Sequence, residues 1–283
     1  ISRNITEIKT DLIFPWNNIQ PGFLPIYKWI FKNSFPKDSK PNIVISCGRK
    51  SVYFSLYCKK IFKNLISIHI QNPKISAKNF NYVISPNHDN FNGENVINSI
   101  GALHHLNKNN ESTDQSLVTC IIGGDNQHYY FDNNEADKLC NKLIEIKNNQ
   151  KNIELNIVTS RRTSNTVKKI LIEKLKNIAK IWTGEGKNPY IESIQKSSFF
   201  IVTSDSTSMI SEAAISGKPI YVYHLTFKRK SKRIENFHRE FSELGITKDI
   251  INFNHLTDWS YDSLNESERI AIIIKKKIIK ENI

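Results

Sequence analysis

The run Val202-Thr203-Ser204-Asp205-Ser206-Thr207-Ser208 is the most informative stretch of the sequence, with Glu212 about one and a half turns further on. A strand ends there in small hydroxyl residues that open a helix. Free N–H groups and the helix dipole at such a place favour a phosphate. A carboxylate reaching back from the first turns, here Glu212, can accept hydrogen bonds from ribose hydroxyls. A Ser N-cap with an acid in its first turns has the same pattern, and spacing leaves both readings open. Val158-Thr159-Ser160-Arg161-Arg162-Thr163 is a second strand-to-helix passage, and it holds two of only eight arginines. Adjacent guanidinium groups at a strand tip suit an anion. Gly123-Gly124, after the apolar run Leu117–Ile122, permit close backbone approach to a ligand or a plain tight loop. Gly184-Glu185-Gly186-Lys187-Asn188-Pro189 reads as a flexible loop closed by an Asn188 cap with Pro189 at the first helical position. Ser46-Cys47-Gly48-Arg49-Lys50-Ser51 is again strand, glycine, basic residue, helix, without the spacing of a phosphate-binding P-loop. His88 beside Asp89 is the acid/base candidate of the first half, whereas His104-His105 reads as structural.

Several chemistries are excluded by pattern. The sequence has no HExxH, GxSxG or GxGxxG motif, and no two aspartates sit two apart. The expectation is therefore a metal-independent site with no bound cofactor. The four cysteines include no CxxC pair, which removes zinc-ribbon and thioredoxin patterns. Cys47 and Cys120 lie in apolar runs as small hydrophobes, and a reducing, cytoplasmic setting fits.

The elements that must position these residues alternate. Residues 42–47, 65–70, 81–85, 117–122, 153–159, 179–182, 199–203 and 219–223 read as strands. Residues 50–64, 133–148, 163–177, 188–196 and 206–216 read as helices. Alternation with continuous apolar strands means parallel sheets covered on both faces. A polar stretch near 105–115 separates two such sets. Residues 263–282 form an amphipathic basic helix with Ile270, Ile273, Ile274 and Ile278 on one face, and the first residues lead into alternating, strand-like sequence.

The 283 residues carry 40 Lys and Arg against 27 Asp and Glu, a net charge of +13. The excess is mostly lysine: 32 Lys accompany 44 Ile and 33 Asn, with 7 Ala. That is the drift of an A/T-rich coding sequence, so no nucleic-acid partner is expected. The sharpest cluster, Lys228 to Arg233, stays a candidate anion or membrane-surface patch, so the cytoplasmic placement carries a peripheral membrane alternative.

Taken in order, Ile45-Ser46-Cys47-Gly48-Arg49-Lys50-Ser51, Gln71-Asn72-Pro73, Pro86-Asn87-His88-Asp89, Gly101-Ala102-Leu103-His104, Gly123-Gly124, Thr159-Ser160-Arg161-Arg162-Thr163, Asn188-Pro189-Tyr190, Met209-Ile210-Ser211-Glu212-Ala213, Gly217-Lys218-Pro219 and Trp259-Ser260-Tyr261 resemble the mitochondrial fission protein family of plants and its bacterial relatives. The resemblance covers nearly the whole chain. It implies an α/β fold of two Rossmann-like domains facing a cleft, as in GT-B glycosyltransferases. The expected domains are 1–115, 116–260 and a C-terminal helix over 261–283 that packs back. It also implies that Ser206, Ser208 and Glu212, with Gly217-Lys218-Pro219, lie where such enzymes hold a nucleotide-sugar donor. Gly123 and Gly124 would form their glycine loop, and Arg161 and Arg162 would bind diphosphate. Asn188 joins this binding set, Gly48, Arg49 and Ser51 line the other side of the cleft, and His88 or Asp89 serves as base. Family members begin with a further βα unit that this sequence does not show, and its only methionine is Met209, so it reads as lacking that unit. Two functions are expected as alternatives. One is glycosyl transfer to a cell-envelope glycan or lipid. The other is a non-enzymatic scaffold that recruits a membrane-remodelling GTPase through 228–239, and a nucleotide-sugar epimerase ranks third.

Overall fold

The structure is a computed structural model that describes residues 4–32, 40–107 and 113–280. It divides into two compact units, one of residues 1–100 with 268–283 and one of residues 101–267. The expected boundaries stood at 115/116 and 260/261. Of the polar stretch read as a linker, residues 108–112 lie outside the described residues.

Unit 1 holds a parallel sheet in sequential order, β1 (Ile43–Cys47), β2 (Ile66–Ile70), β3 (Tyr82–Pro86) and β4 (Val96–Ser99), with α1 (Arg49–Ile61) after the first strand. Val52, Ala77, Phe80 and Val83 form one of its small cores. The residues of β1 alternate between buried and exposed because successive side chains point to opposite faces and only one face of the strand is covered. Cys47 is exposed for that reason, against the expectation of a buried hydrophobe.

The strand reading of the N-terminal stretch does not hold. Residues 4–32 contain a single bridge, Leu12 to Phe31, and a 3-10 turn at Lys28–Ile30. Pro15, Pro21 and Pro25 explain this, because proline removes ladder donors and fixes φ. Arg49 donates to the carbonyl of Ile19 at 2.6 Å and to that of Asn17, which pins the segment to the start of α1.

Unit 2 holds six parallel strands and the larger core. They are β5 (Asp114–Ile122), β6 (Glu154–Thr159), β7 (Ala179–Trp182), β8 (Ser197–Thr203), β9 (Ile220–Tyr223) and β10 (Thr247–Asp249). Between them run α2 (Asn133–Asn149), α3 (Asn165–Leu175), α4 (Tyr190–Lys196), α5 (Thr207–Ala213) and α6 (Lys232–Glu243). The spatial order is β10-β9-β8-β5-β6-β7. The chain therefore builds outward from β5 in one direction through β6 and β7, then returns beside β5 and builds the other way. That reversal makes a crevice at the carboxyl ends of β5 and β8, the usual ligand position in open α/β sheets. Leu139, Leu143 and Ile146 of α2 and Leu171 of α3 are fully buried against β5 and its neighbours.

The last helix, α7 (Glu266–Lys280), starts in the final two residues of unit 2 and continues in unit 1. Ile270, Ile274 and Ile278 are its buried stripe. Arg269 donates to the Asn98 carbonyl at 2.7 Å. No helix of the described residues is long and apolar enough to cross a membrane.

Candidate functional site

The residues following β5, β6 and β8 meet at the crevice of unit 2, and Asp205 joins them. Its side chain is 0% exposed and accepts from the Thr203 hydroxyl at 2.6 Å and from the Gly124 N–H at 3.0 Å. Arg162 approaches the same carboxylate at 2.8 Å with 43% of its own side chain exposed. Burial pushes the Asp205 carboxyl upward, and Thr203, the Gly124 amide and Arg162 oppose that. The Gly123 N–H donates to Thr203 at 2.8 Å.

The glycines are needed here for clearance. A Cβ on Gly123 would lie well under 3.0 Å from both Asp205 carboxylate oxygens, and one on Gly124 would meet the Arg162 backbone as closely. Their N–H groups are already used internally by Thr203 and Asp205. The sequence left these glycines open to a ligand or a plain turn, because the groups that fill their space, Asp205 after β8 and Arg162 after β6, lie far along the chain. Thr163 completes the junction, donating to the Gly123 carbonyl at 2.5 Å and accepting from the Ser160 N–H at 3.0 Å. The Asn126 amide donates to the Asp205 carbonyl at 3.1 Å.

Arg161 and Arg162 differ sharply. Arg162 is tied to Asp205, whereas Arg161 is exposed and has no ion-pair or hydrogen-bond partner among the described residues. Ser206 caps α5 by accepting from the Met209 N–H at 3.4 Å, and Ser208 is exposed. Glu212 accepts from the Tyr190 hydroxyl, which burial and this carboxylate together raise well above the ordinary phenol range. His104 is also close to Glu212: burial lowers its imidazole and the Glu212 charge opposes this. Sequence reasoning named neither Tyr190 nor His104 as a site residue.

Asn188 is near this group, but not as the expected cap. Pro189 is the N-cap of α4, and the Asn188 side chain instead accepts from the Tyr190 N–H at 3.0 Å. Gly217-Lys218-Pro219 lies at the amino end of β9, whereas Ser206 follows the carboxyl end of β8. The tripeptide is thus at the other end of the helical stretch from Ser206, and it lines a cavity of about 310 Å³ with Ser197 and Tyr261.

In unit 1 the expected residues serve structure. Gly48 takes a positive φ of 82° as the N-cap of α1, Arg49 grips residues 17–19, and Ser51 donates to the Cys47 carbonyl at 2.7 Å. His88 lies 3.9 Å from Asp89, but the two side chains are only 1% and 7% exposed, so neither is presented to solvent. Among the described residues no group of three His, Cys, Asp or Glu is arranged to hold a metal.

The mitochondrial fission ELM1 family profile matches residues 2–278. The chain belongs to this family. It is 25% identical to the mitochondrial fission protein ELM1 of Arabidopsis thaliana over 87% of this chain, and it spans 66% of that relative's length. It is 28% identical to the uncharacterized protein RP120 of Rickettsia prowazekii over 83% of this chain and 79% of the relative. Among solved structures, the UDP-GlcNAc 2-epimerase of Methanocaldococcus jannaschii matches with a TM-score of 0.52 and 14% identity, over 84% of this chain and 77% of the other. The ELM1-family chain thus has a GT-B-like fold built from two Rossmann-like halves.

Proposed function

We propose that this ELM1-family protein binds a nucleotide-diphosphate sugar at the carboxyl ends of β5, β6 and β8. We further propose that it transfers the sugar to a cell-envelope glycan or lipid without a metal. The observation that carries the reading is Arg161, an exposed guanidinium with no partner among the described residues, at the β6 tip beside the order reversal of unit 2. Arg161 would bind the diphosphate and stabilise it as leaving group, with Arg162 beside it held in place by Asp205. Glu212, with one oxygen taken by Tyr190, has a second oxygen for ribose, and Ser206, Ser208 and Asn188 rim the same loops. The name of the archaeal structural neighbour supports a UDP-sugar as ligand.

Two further readings have support of their own. The same name favours epimerisation of a UDP-sugar, although an NAD-using epimerase would require the absent GxGxxG loop. The plant relative is named a mitochondrial fission protein, which supports as the other reading a non-enzymatic scaffold that recruits a membrane-remodelling GTPase through residues 228–239.

Thermal shift with UDP, UDP-GlcNAc and other nucleoside diphosphates tests the first proposal. Ligand at a hundredfold excess over Kd adds about 2.7 kcal/mol of stability. The melting temperature is expected to rise with at least one of them, and the rise to vanish in Arg161→Ala. No shift with any ligand, or an equal shift in Arg161→Ala, would sink it. Sugar transfer then releases UDP, whereas epimerisation inverts the donor and releases none.

A further inference from the structure

Residues 14–29 of unit 1 hold an unusual concentration of exposed aromatic surface. Phe14 is 75% exposed, Phe23 78%, Trp29 59% and Tyr27 46%. Single exposed apolar side chains are ordinary, but four rings within one short segment form a patch. Tyr27 and Trp29 are stacked with centroids 5.8 Å apart and planes 9° from parallel, and Trp16 meets Trp29 edge-on at 5.1 Å.

The segment is rigidly mounted. Leu12, Trp16 and Ile30 are buried with Tyr53 of α1. The Tyr53 hydroxyl donates to the Ile19 carbonyl at 3.0 Å and the Trp16 indole N–H to the Pro25 carbonyl at 2.9 Å. Asp11 is bridged by Lys50 at 3.1 Å and by Lys32 at 3.4 Å. The exposed rings are therefore held outward by a fixed frame.

We propose that Phe14, Phe23, Tyr27 and Trp29 dock unit 1 onto the headgroup layer of an anionic lipid bilayer. Three observations favour lipid over a protein partner. Phe14 and Phe23 sit on turns, and apart from one 3-10 turn this stretch has no helix or strand for a protein to pair with. Trp and Tyr, amphipathic rings suited to the membrane interface, flank the exposed Lys28, whose long stem lets the ammonium reach headgroup phosphates. The chain's net charge of +13 complements an anionic surface, and the Asp11 carboxylate near the patch is already neutralised by two lysines. The proposal does not depend on the nucleotide reading.

Vesicle co-sedimentation of the full chain tests it, with phosphatidylcholine vesicles with and without phosphatidylglycerol. Binding is expected to the anionic vesicles, with a blue shift of tryptophan emission as Trp29 leaves water. Phe14→Ser and Trp29→Ser alter exposed rings, so unchanged urea midpoints check that the fold is kept. Each is expected to weaken binding by about tenfold, the loss of one ring's burial. Absence of vesicle binding, or binding undiminished in both variants, overturns the proposal. Light scattering that shows self-association lost in the same variants overturns it in favour of a contact between copies. UDP thermal shift in the variants separates the two proposals: it is expected to be unaltered whether or not vesicles bind.

Discussion

Gly123→Ala puts a methyl group where the Asp205 carboxylate now lies. The carboxylate must leave, because the new Cβ would be far inside contact distance of both its oxygens. It would lose the Thr203 hydroxyl at 2.6 Å and the Gly124 N–H at 3.0 Å, two hydrogen bonds to a buried charge. Hydrogen bonds to charged groups contribute about 1.5–3 kcal/mol each, so the two together are worth roughly 3–6 kcal/mol. The Arg162 contact is left out of this sum, since Arg162 is 43% exposed and solvent screens it. At roughly 2–4 °C per kcal/mol for a unit of this size, the melting temperature falls by about 6–24 °C. Urea unfolding followed by tryptophan fluorescence measures the free energy directly. The decisive control is the same change in an Asp205→Ala background, where the space is empty and the methyl group should cost under about 1 kcal/mol. A loss below about 1 kcal/mol in the wild-type background, or a full loss that persists without Asp205, would refute the argument that the glycine exists for the carboxylate.

Two other outcomes are expected. His69 is 1% exposed, and burial brings its imidazole down to about 4 from an ordinary value near 6.5. The unfolded chain then binds more protons between these values, so stability is complete above about pH 6.5 and declines towards pH 4, by up to roughly 3 kcal/mol. Denaturation midpoints at a series of pH values measure this, and His69→Gln should flatten the profile; an equally steep profile in that variant contradicts the assignment. Arg49→Ala removes two side-chain bonds to main-chain carbonyls and should destabilise unit 1 by about 1–3 kcal/mol. Limited proteolysis should then cut first within residues 4–32, and a cleavage pattern like that of the wild type would argue against Arg49 as the clasp.

Much of unit 2 was legible because its strands are continuous apolar runs. Val118, Cys120 and Ile122 are all fully buried in β5, as their composition implied. The misses have local causes. α6 was read as a basic surface because Lys228 to Arg233 precede and open it, while its buried face, Ile234, Phe237 and Phe241, is sparse. β4 and β10 are four and three residues long and partly polar, too short for a period-two pattern to show. At the site, strand ends were found from sequence but pairings were not. Asp205 lies in the same run as Ser206, yet its role is defined by Gly123, Gly124 and Arg162, which approach it only through the order of the strands. Tyr190 and Glu212 are likewise joined across 22 positions, and nothing local to either signals the pairing.

The clasp on the N-terminal segment has one more consequence. Arg49, Tyr53 and Trp16 all hold it by main-chain carbonyls, those of Asn17, Ile19 and Pro25. A carbonyl is the same whichever side chain its residue bears. The path of the segment is thus specified by its grip, whereas the outward-facing positions are left open to substitution. Unit 1 thereby offers a replaceable surface on a fixed mount, where contact chemistry can change without altering the grip that sets the path of the segment.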